Sequence, residues 1–403
     1  MTHLLAHTDP RNPRVRVENN IAQAETAARR ASMAYAEQIA AIHATLVEAR
    51  SFPEVYVPFL RDASAVEFAE RGAVADLAMC LGVAEQTIRA QDHEAETLLR
   101  RTPRVWEAFL LGDIAAPNAR VISQLVSDLP EAAWAVFEDA VLVRAATLAP
   151  ARFRTFARGA RDRIDPRELP ERHARRAEER RVWIDADVDG MCWLTAYLPA
   201  PDAHRAMAHL DASAMSLAAH PEENRTLAQL RADLATELLA GVLGASPSVG
   251  VSVAVTVPVM TLLGLTDEPA HLDGFGPIDA DTAREISRHA PSFSRILTHP
   301  ISGTVLDVDR TTYRVPADLK RWLGVRDGSC TFPGCGRRVQ ACDLDHTVDW
   351  QYGGTTSAAN LAHLCRHHHR LKHNTRWRVE HTETGIRWTS PTGTTRTADP
   401  PPF

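Results

Sequence analysis

CTFPGCGRRVQACDLDHTVDWQYGGTTSAANLAHLCRHHHRLKH, residues 330–373, holds four of the six cysteines and six of the eighteen histidines of the chain. Cys330 and Cys335 flank Thr-Phe-Pro-Gly, a turn able to bring two thiolates to one ion. Cys365 and His368 stand three apart on an expected helix, where that spacing shares a face. Three thiolates and one imidazole make a closed tetrahedral Zn²⁺ shell, of the kind that folds a small domain. Such clustering beside a His-rich run speaks for metal rather than a disulfide framework. Cys342 either replaces one of these ligands or is a small buried residue beside them.

A second set lies between the two halves of that shell. Asp345-His346 is expected to end a strand, Gly353-Gly354 to make a turn, and Asn360 to open the helix that carries His369. Asp-His, a glycine-containing loop, Asn360-Leu361 and Cys365-x-x-His368-His369 together resemble the HNH endonucleases, with a ββα-metal fold that cuts phosphodiester bonds. The departure is His368, where many relatives carry cysteine.

The resemblance implies a role for each residue. His346 is the general base, since an imidazole takes up a proton near neutral pH. Asp345 and His369 hold a divalent ion (Mg²⁺, Mn²⁺ or another transition ion) that neutralises the scissile phosphate and the departing oxygen. Asn360 fixes the loop through its amide and so orients His346. His373, one turn beyond His369, is either a further ligand of that ion or a surface residue. On one continuous helix, Cys365 and His368 would face roughly 90° away from His369 and His373, so that two ions are served from two sides. His363 and His367 fall outside both sets and are expected at the surface, as solvated residues or phosphate contacts. Arg337, Arg338, Arg366, Arg370 and Lys372 are candidates for contact with the DNA backbone, against the alternative of a solvated helix face. Trp377 and Trp388 either stack on bases or, the better reading, pack a small hairpin.

Charge follows the same division. Residues 320–403 carry twelve Lys/Arg against seven Asp/Glu, a net +5, which leaves −11 on the remainder of a chain of −6. A basic unit on an acidic body suits a polyanionic partner, though a short segment can reach +5 by chance. The only lysines are Lys320 and Lys372 among 45 basic residues, a ratio that reads as codon usage in a GC-rich bacterial genome.

Upstream the pattern is helical. Residues 1–17 read as a flexible arm, and from Glu18 to Arg50 an Ala-rich stretch without Gly or Pro predicts a long helix. Further helices are expected at 64–80, 84–100, 103–111, 116–128, 130–147, 150–162, 201–219 and 224–243. Two alternating runs around Asp189-Gly190, residues 181–187 and 191–198, predict a hairpin. Residues 249–257 read as a buried strand, because the apolar run to Leu265 is short and broken by Pro258. Residues 73–90, AVADLAMCLGVAEQTIRA, have the spacing of either a DNA-reading helix-turn-helix or an ordinary helical hairpin. A hairpin is expected at 376–390, with its turn at Glu383-Thr384-Gly385.

The expected fold is therefore a mainly α N-terminal domain with a small β-hairpin element, plus a C-terminal zinc-stabilised ββα-metal module. Its divisions are a flexible arm (1–17), a helical domain (18–280), a connecting segment (281–319), the metal module (320–375), a hairpin (376–390) and a disordered tail (391–403). The layout is similar to actinobacterial proteins that join domain of unknown function number 222 to an HNH module. That likeness rests on the helical half, GFGPIDADTAREIS at 274–287 and HPISGTVLDVDRTTYRVPADLKRWLGVRDGSCTFPGC at 299–335. It implies a DNA-cutting enzyme; the alternative is a zinc-stapled nucleic-acid-binding protein without catalysis. DNA is the expected partner, a homodimer is expected if both strands are cut, and the acidic helical domain is the candidate surface for a protein partner. No signal peptide or membrane span is visible, which predicts a cytoplasmic protein.

Overall fold

The computed structural model describes residues 12–58, 63–165, 169–239, 255–272, 276–288 and 315–398. Most of the expected strand at 249–257, residues 240–243 of an expected helix, much of the connecting segment and both chain ends lie outside these. The chain is mainly helical with small antiparallel sheets, and it divides into two compact units. One unit combines residues 1–169 with 295–403, and the other is residues 170–294.

The first unit opens with helix α1 (Pro13–Ser51). It starts inside the stretch expected to be an arm, because Asn12 caps it by accepting from Arg14 N at 2.9 Å and Pro13 suits the first helical position. Only its C-terminal half is buried, through Ala36, Ile39, Ile42, Leu46 and Ala49, a single stripe at helical spacing. Helices α2 (Ala63–Leu81) and α3 (Glu85–Arg101) follow as a hairpin. Gly82, at φ +68°, turns the chain between them, and Val83 N reaches back to Ala78 O at 3.1 Å. Helices α4 (Pro103–Leu110), α5 (Ala116–Val126), α6 (Glu131–Thr147) and α7 (Pro150–Ile164) then close a core around Phe109, Phe137 and Phe153, with Ile39, Leu98 and Ile122. Proline at or before the first turn of each of these four helices explains why their starts were legible.

Helix α2 has two buried apolar faces. Ala73, Val74 and Ala78 face Ile42, Leu46 and Tyr56 of the helical core, while Ala75 and Met79 face the C-terminal residues Phe332, Leu364, Trp377 and Trp388. The second of these faces needs cover of its own. The C-terminal segment supplies it, and Arg376 N donates to Tyr56 O at 2.9 Å across the same contact.

That segment begins with α13 (Ala317–Asp327; α8 to α12 belong to the second unit). Next come strand β6 (Cys342–His346), strand β7 (Leu361–Cys365) and helix α14 (Arg366–Asn374). Strands β6 and β7 are antiparallel, with Cys342 opposite Cys365 and His346 opposite Leu361. Here the expectation of a helix opened by Asn360 is corrected: residues 361–365 are a strand, and the helix begins at Arg366. All five residues of β7 are buried. Leu361 packs on Leu319 and Leu323, and Ala362 and Leu364 pack into the Trp377–Trp388 cluster, so both faces are covered and the alternation that marks a strand is lost. Strands β8 (Arg378–Thr382), β9 (Gly385–Thr389) and β10 (Thr395–Thr397) form a second antiparallel sheet. β10 lies in the stretch expected to be a disordered tail; it pairs with β9, and Ala398 N also donates to Ile386 O at 2.7 Å.

The second unit contains α8 (Leu169–Glu178), which the sequence reading did not mark, and the hairpin β1 (Arg181–Ala186) and β2 (Cys192–Tyr197). Asp189 and Gly190 both take positive φ at the centre of the turn that Met191 N closes on Val188 O at 3.1 Å. It continues with α9 (Ala200–Ala218), α10 (Leu227–Leu239), the antiparallel strands β3 (Val255–Thr256), β4 (Ala270–Leu272) and β5 (Gly276–Ile278), the short α11 (Val259–Leu262) and α12 (Ala280–Arg288). Among the described residues no helix is long and apolar enough to cross a membrane.

Candidate functional site

Residues 329–338 fold into a knuckle. Ser329 bridges Arg338, Cys330 N donates to Arg337 O at 2.8 Å, and Cys335 N closes the turn on Phe332 O at 3.0 Å, with Gly334 at φ +80°. Cys365, the last residue of β7 and the N-cap of α14, donates its N–H to Cys330 Sγ at 3.3 Å. His368, in the first turn of α14, brings Nδ1 to 3.4 Å from Cys330 Sγ and 3.3 Å from Cys365 Sγ. The ligand atoms of Cys330, Cys335, Cys365 and His368 all lie within 4.8 Å of one another. A tetrahedral ion about 2.3 Å from sulfur and about 2.0 Å from nitrogen separates those atoms by about 3.5 Å, so the four residues fit Zn²⁺. They converge although Cys365 is not helical, because the end of a strand and the first turn of a helix also project side by side. Cys342 is not in the cluster: its Sγ lies 3.3 Å from Arg338 O, and burial pushes the thiol up to about 11.

The second set also converges. Asp345 Oδ1 lies 3.3 Å from His369 Nε2 and 3.2 Å from His373 Nε2, and this trio is a separate metal-compatible group. His369 and His373 are one turn apart on α14, which puts both over the end of β6. Asp345 is mostly buried; burial alone would raise its pKa, but hydrogen bonds from His369, His373 and Lys372 hold the carboxyl far below the usual range. His369 is raised by its bond to Asp345, against the opposing effect of burial, and then by Asp343, whose Oδ2 lies 3.1 Å from His369 Nδ1. Asp343 was missed in the sequence; its place one alternation before Asp345 on the same strand face is the signal that could have found it.

His346, 8% exposed, shares a hydrogen bond between Nε2 and Thr356 Oγ1 at 3.1 Å. Burial lowers its pKa below the ordinary histidine value, Asp345 opposes this, and Lys372 adds to it. The loop between β6 and β7 is held by Asn360. Its Oδ1 accepts from Val348 N at 2.8 Å, and its Nδ2 donates to Val348 O at 3.0 Å and Thr355 O at 2.9 Å. Gly353 has φ +88°, and Gly354 passes so close to Val348 that a side chain would overlap the carbonyl.

The remaining candidates divide. Arg337, Arg338, Arg366 and Arg370 are exposed around the knuckle and α14, with Arg370 also 5.4 Å from the Phe68 ring centroid. Lys372 is not a free surface cation: Nζ donates to Asp345 Oδ2 at 2.6 Å and to His346 O at 2.5 Å. His363 is not at the surface either; it is 3% exposed, and Nδ1 lies 2.8 Å from Asp327 Oδ2 of α13. Trp377 and Trp388 are buried against Phe332, so both serve packing.

The start of α3 is also engaged. Glu85 Oε1 lies 2.7 Å from His368 Nε2, and Oε2 lies 2.9 Å from His367 Nε2. Burial would raise the Glu85 carboxyl, but the two histidines hold it down at about 2. The segment 73–90 is a helical hairpin, and Glu85 at the start of its second helix rests on the knuckle.

A 31% identical relative, Uncharacterized protein Rv3776 of Mycobacterium tuberculosis strain H37Rv, aligns over 379 residues, 81% of this chain and 70% of the relative. Uncharacterized protein Rv2100 of the same strain is 36% identical over 139 residues, 34% of this chain and 24% of that protein. No solved structure matches. Residues 26–327 match a family described as Domain of unknown function (DUF222), and the chain belongs to that family.

Proposed function

We propose that the chain is a divalent-metal-dependent endonuclease that hydrolyses DNA phosphodiester bonds through an HNH-type ββα site. The observation that carries this reading is the convergence of Asp345, His369 and His373 beside His346, on an antiparallel strand pair followed by a helix. A divalent ion held by these three residues would stabilise charge on the scissile phosphate and the leaving oxygen. His346 takes the proton of the attacking water; its lowered pKa keeps it neutral and ready at pH 7. Thr356 and the Asn360 loop hold the imidazole in place while the proton moves. Asp343 accepts from His369 Nδ1 and so keeps Nε2 directed at Asp345. Exposed Arg337, Arg338, Arg366 and Arg370 would take the phosphate backbone on either side. Cys330, Cys335, Cys365 and His368 would hold a structural Zn²⁺, which would keep α14 seated on β6 and β7.

The test is cleavage of supercoiled plasmid and of single-stranded DNA by the pure protein with Mg²⁺, Mn²⁺, Ni²⁺ or Co²⁺, beside His346→Ala. Loss of a general base is expected to slow cutting by about 10²–10⁴-fold. Absence of cutting with every ion and substrate, or equal cutting by the variant, refutes the proposal. One observation favours the second reading, a zinc-stapled nucleic-acid-binding protein without catalysis: Lys372 already neutralises Asp345. Salt-dependent DNA binding with no cleavage under any ion would select it.

A further inference from the structure

Glu85 precedes His368 by 283 residues, yet its carboxylate meets that imidazole at 2.7 Å. The ring is fixed on three sides. Nδ1 faces the sulfurs of Cys330 and Cys365 at 3.4 and 3.3 Å, Nε2 faces Glu85 Oε1, and Phe332 lies flat on the ring face at 3.9 Å and 8°. A histidine binds a metal through an unprotonated nitrogen, and a carboxylate on the opposite nitrogen selects the tautomer that leaves the ligating one bare. Glu85 is so placed, and it comes from the helical core rather than from the module that holds the cysteines. Around it, Ala75 and Met79 pack on Cys330, Phe332 and Cys365.

We propose that Glu85 is a positioning residue of the cysteine–histidine metal site, and that through His368 it makes metal loading and the seating of the α2–α3 hairpin on the knuckle one coupled event. The proposal rests on reading those four residues as a Zn²⁺ site. An ion on His368 Nδ1 polarises the ring and strengthens its donation to Glu85. By reciprocity, a seated α3 tightens the metal. The knuckle is then a clasp between the two ends of one unit and not only a staple within a small module.

The experiment uses the full chain as wild type, Glu85→Ala and Glu85→Gln. Co²⁺ is titrated first, since its sulfur-to-metal absorption reports the cysteine site alone, and Zn²⁺ affinity is read from its displacement. Hydrogen exchange of residues 75–90 is followed with and without Zn²⁺. Glu85→Ala is expected to bind Zn²⁺ about 10–100-fold more weakly. Glu85→Gln keeps an acceptor for the Nε2 proton and is expected to lose only several-fold; it decides the matter alone if Glu85→Ala does not fold. Zn²⁺ is expected to slow exchange in the hairpin of the wild type and not in Glu85→Ala. Wild-type affinity in both variants, equal loss in both, or exchange indifferent to Zn²⁺ overturns the proposal. A wild type that shows no sulfur-to-metal absorption overturns the zinc reading itself, an outcome separate because it needs no variant.

Discussion

Replacing Gly354 with alanine tests the loop that carries His346. An added Cβ would stand 1.7 Å from Val348 O and 2.7 Å from Asn360 Nδ2. The first of these atoms is backbone, so no side-chain rotation relieves the overlap and the Val348 carbonyl must move. With it go the three hydrogen bonds by which Asn360 holds Val348 and Thr355. At about 1 kcal/mol net for each bond, the loss is about 3 kcal/mol, roughly a hundredfold in the local opening equilibrium. Neighbouring Gly353 has φ +88° but nothing within 4 Å of an added Cβ. Gly353→Ala should therefore cost only the left-handed backbone term of about 1–2 kcal/mol. Hydrogen exchange with mass-spectrometric readout over residues 343–361 measures both, since Val348 N donates to Asn360 Oδ1 and Thr347 N to Asn360 O. Wild-type exchange in Gly354→Ala, or faster exchange in Gly353→Ala than in Gly354→Ala, refutes the reasoning.

Two further outcomes follow from the placement of Lys372 and His381. Lys372→Met removes an ammonium that sits 2.6 Å from Asp345 Oδ2, and should tighten Mn²⁺ binding. The gain should be about tenfold or more, since a unit charge about 4 Å away is worth up to about 4 kcal/mol at an effective dielectric constant of about 20. Calorimetric titration showing unchanged or weaker binding would remove Lys372 as a competitor. Burial, aided by Arg326, lowers His381 to about 4 from an ordinary value of 6.5. The folded chain therefore stays neutral there while the unfolded chain takes up a proton. Stability is full above pH 6.5 and is lost as pH falls towards 4, by about 2 kcal/mol between pH 7.5 and 5. His381→Phe should flatten that part of the urea-midpoint profile; an unchanged profile refutes it.

The two ligand sets were legible because short-range spacing carries them. Cys330 and Cys335 share one turn, His369 and His373 share one helix face, and Asp345-His346 ends a strand. The helical half was legible through Ala-rich periodicity and proline starts, and the β1–β2 hairpin through Asp189-Gly190. Strand β7 was not, since cover on both faces leaves Leu-Ala-His-Leu-Cys without alternation, and a five-residue apolar run does not tell strand from helix. Lys372 and His363 were misplaced for one reason: their partners, Asp345 and Asp327, lie 27 and 36 residues away. Glu85 is the extreme case. Nothing near it in the chain hints at a histidine 283 residues away.

The unit that carries both clusters is discontinuous, residues 1–169 completed by 295–403. Thr392 Oγ1 donates to Asp76 Oδ2 across 316 residues, and Glu85 waits 283 residues for His368. At about 5–20 residues per second of synthesis, those gaps last roughly 15–60 s. During translation the outward face of α2, Ala75 and Met79, has no cover, and closing so long a loop is a slow step for any chain. The nascent first half therefore keeps that face open until the second part emerges, and neither metal cluster is complete before α14 leaves the ribosome. Under the proposed function, cleavage would wait until residues 330–373 have emerged.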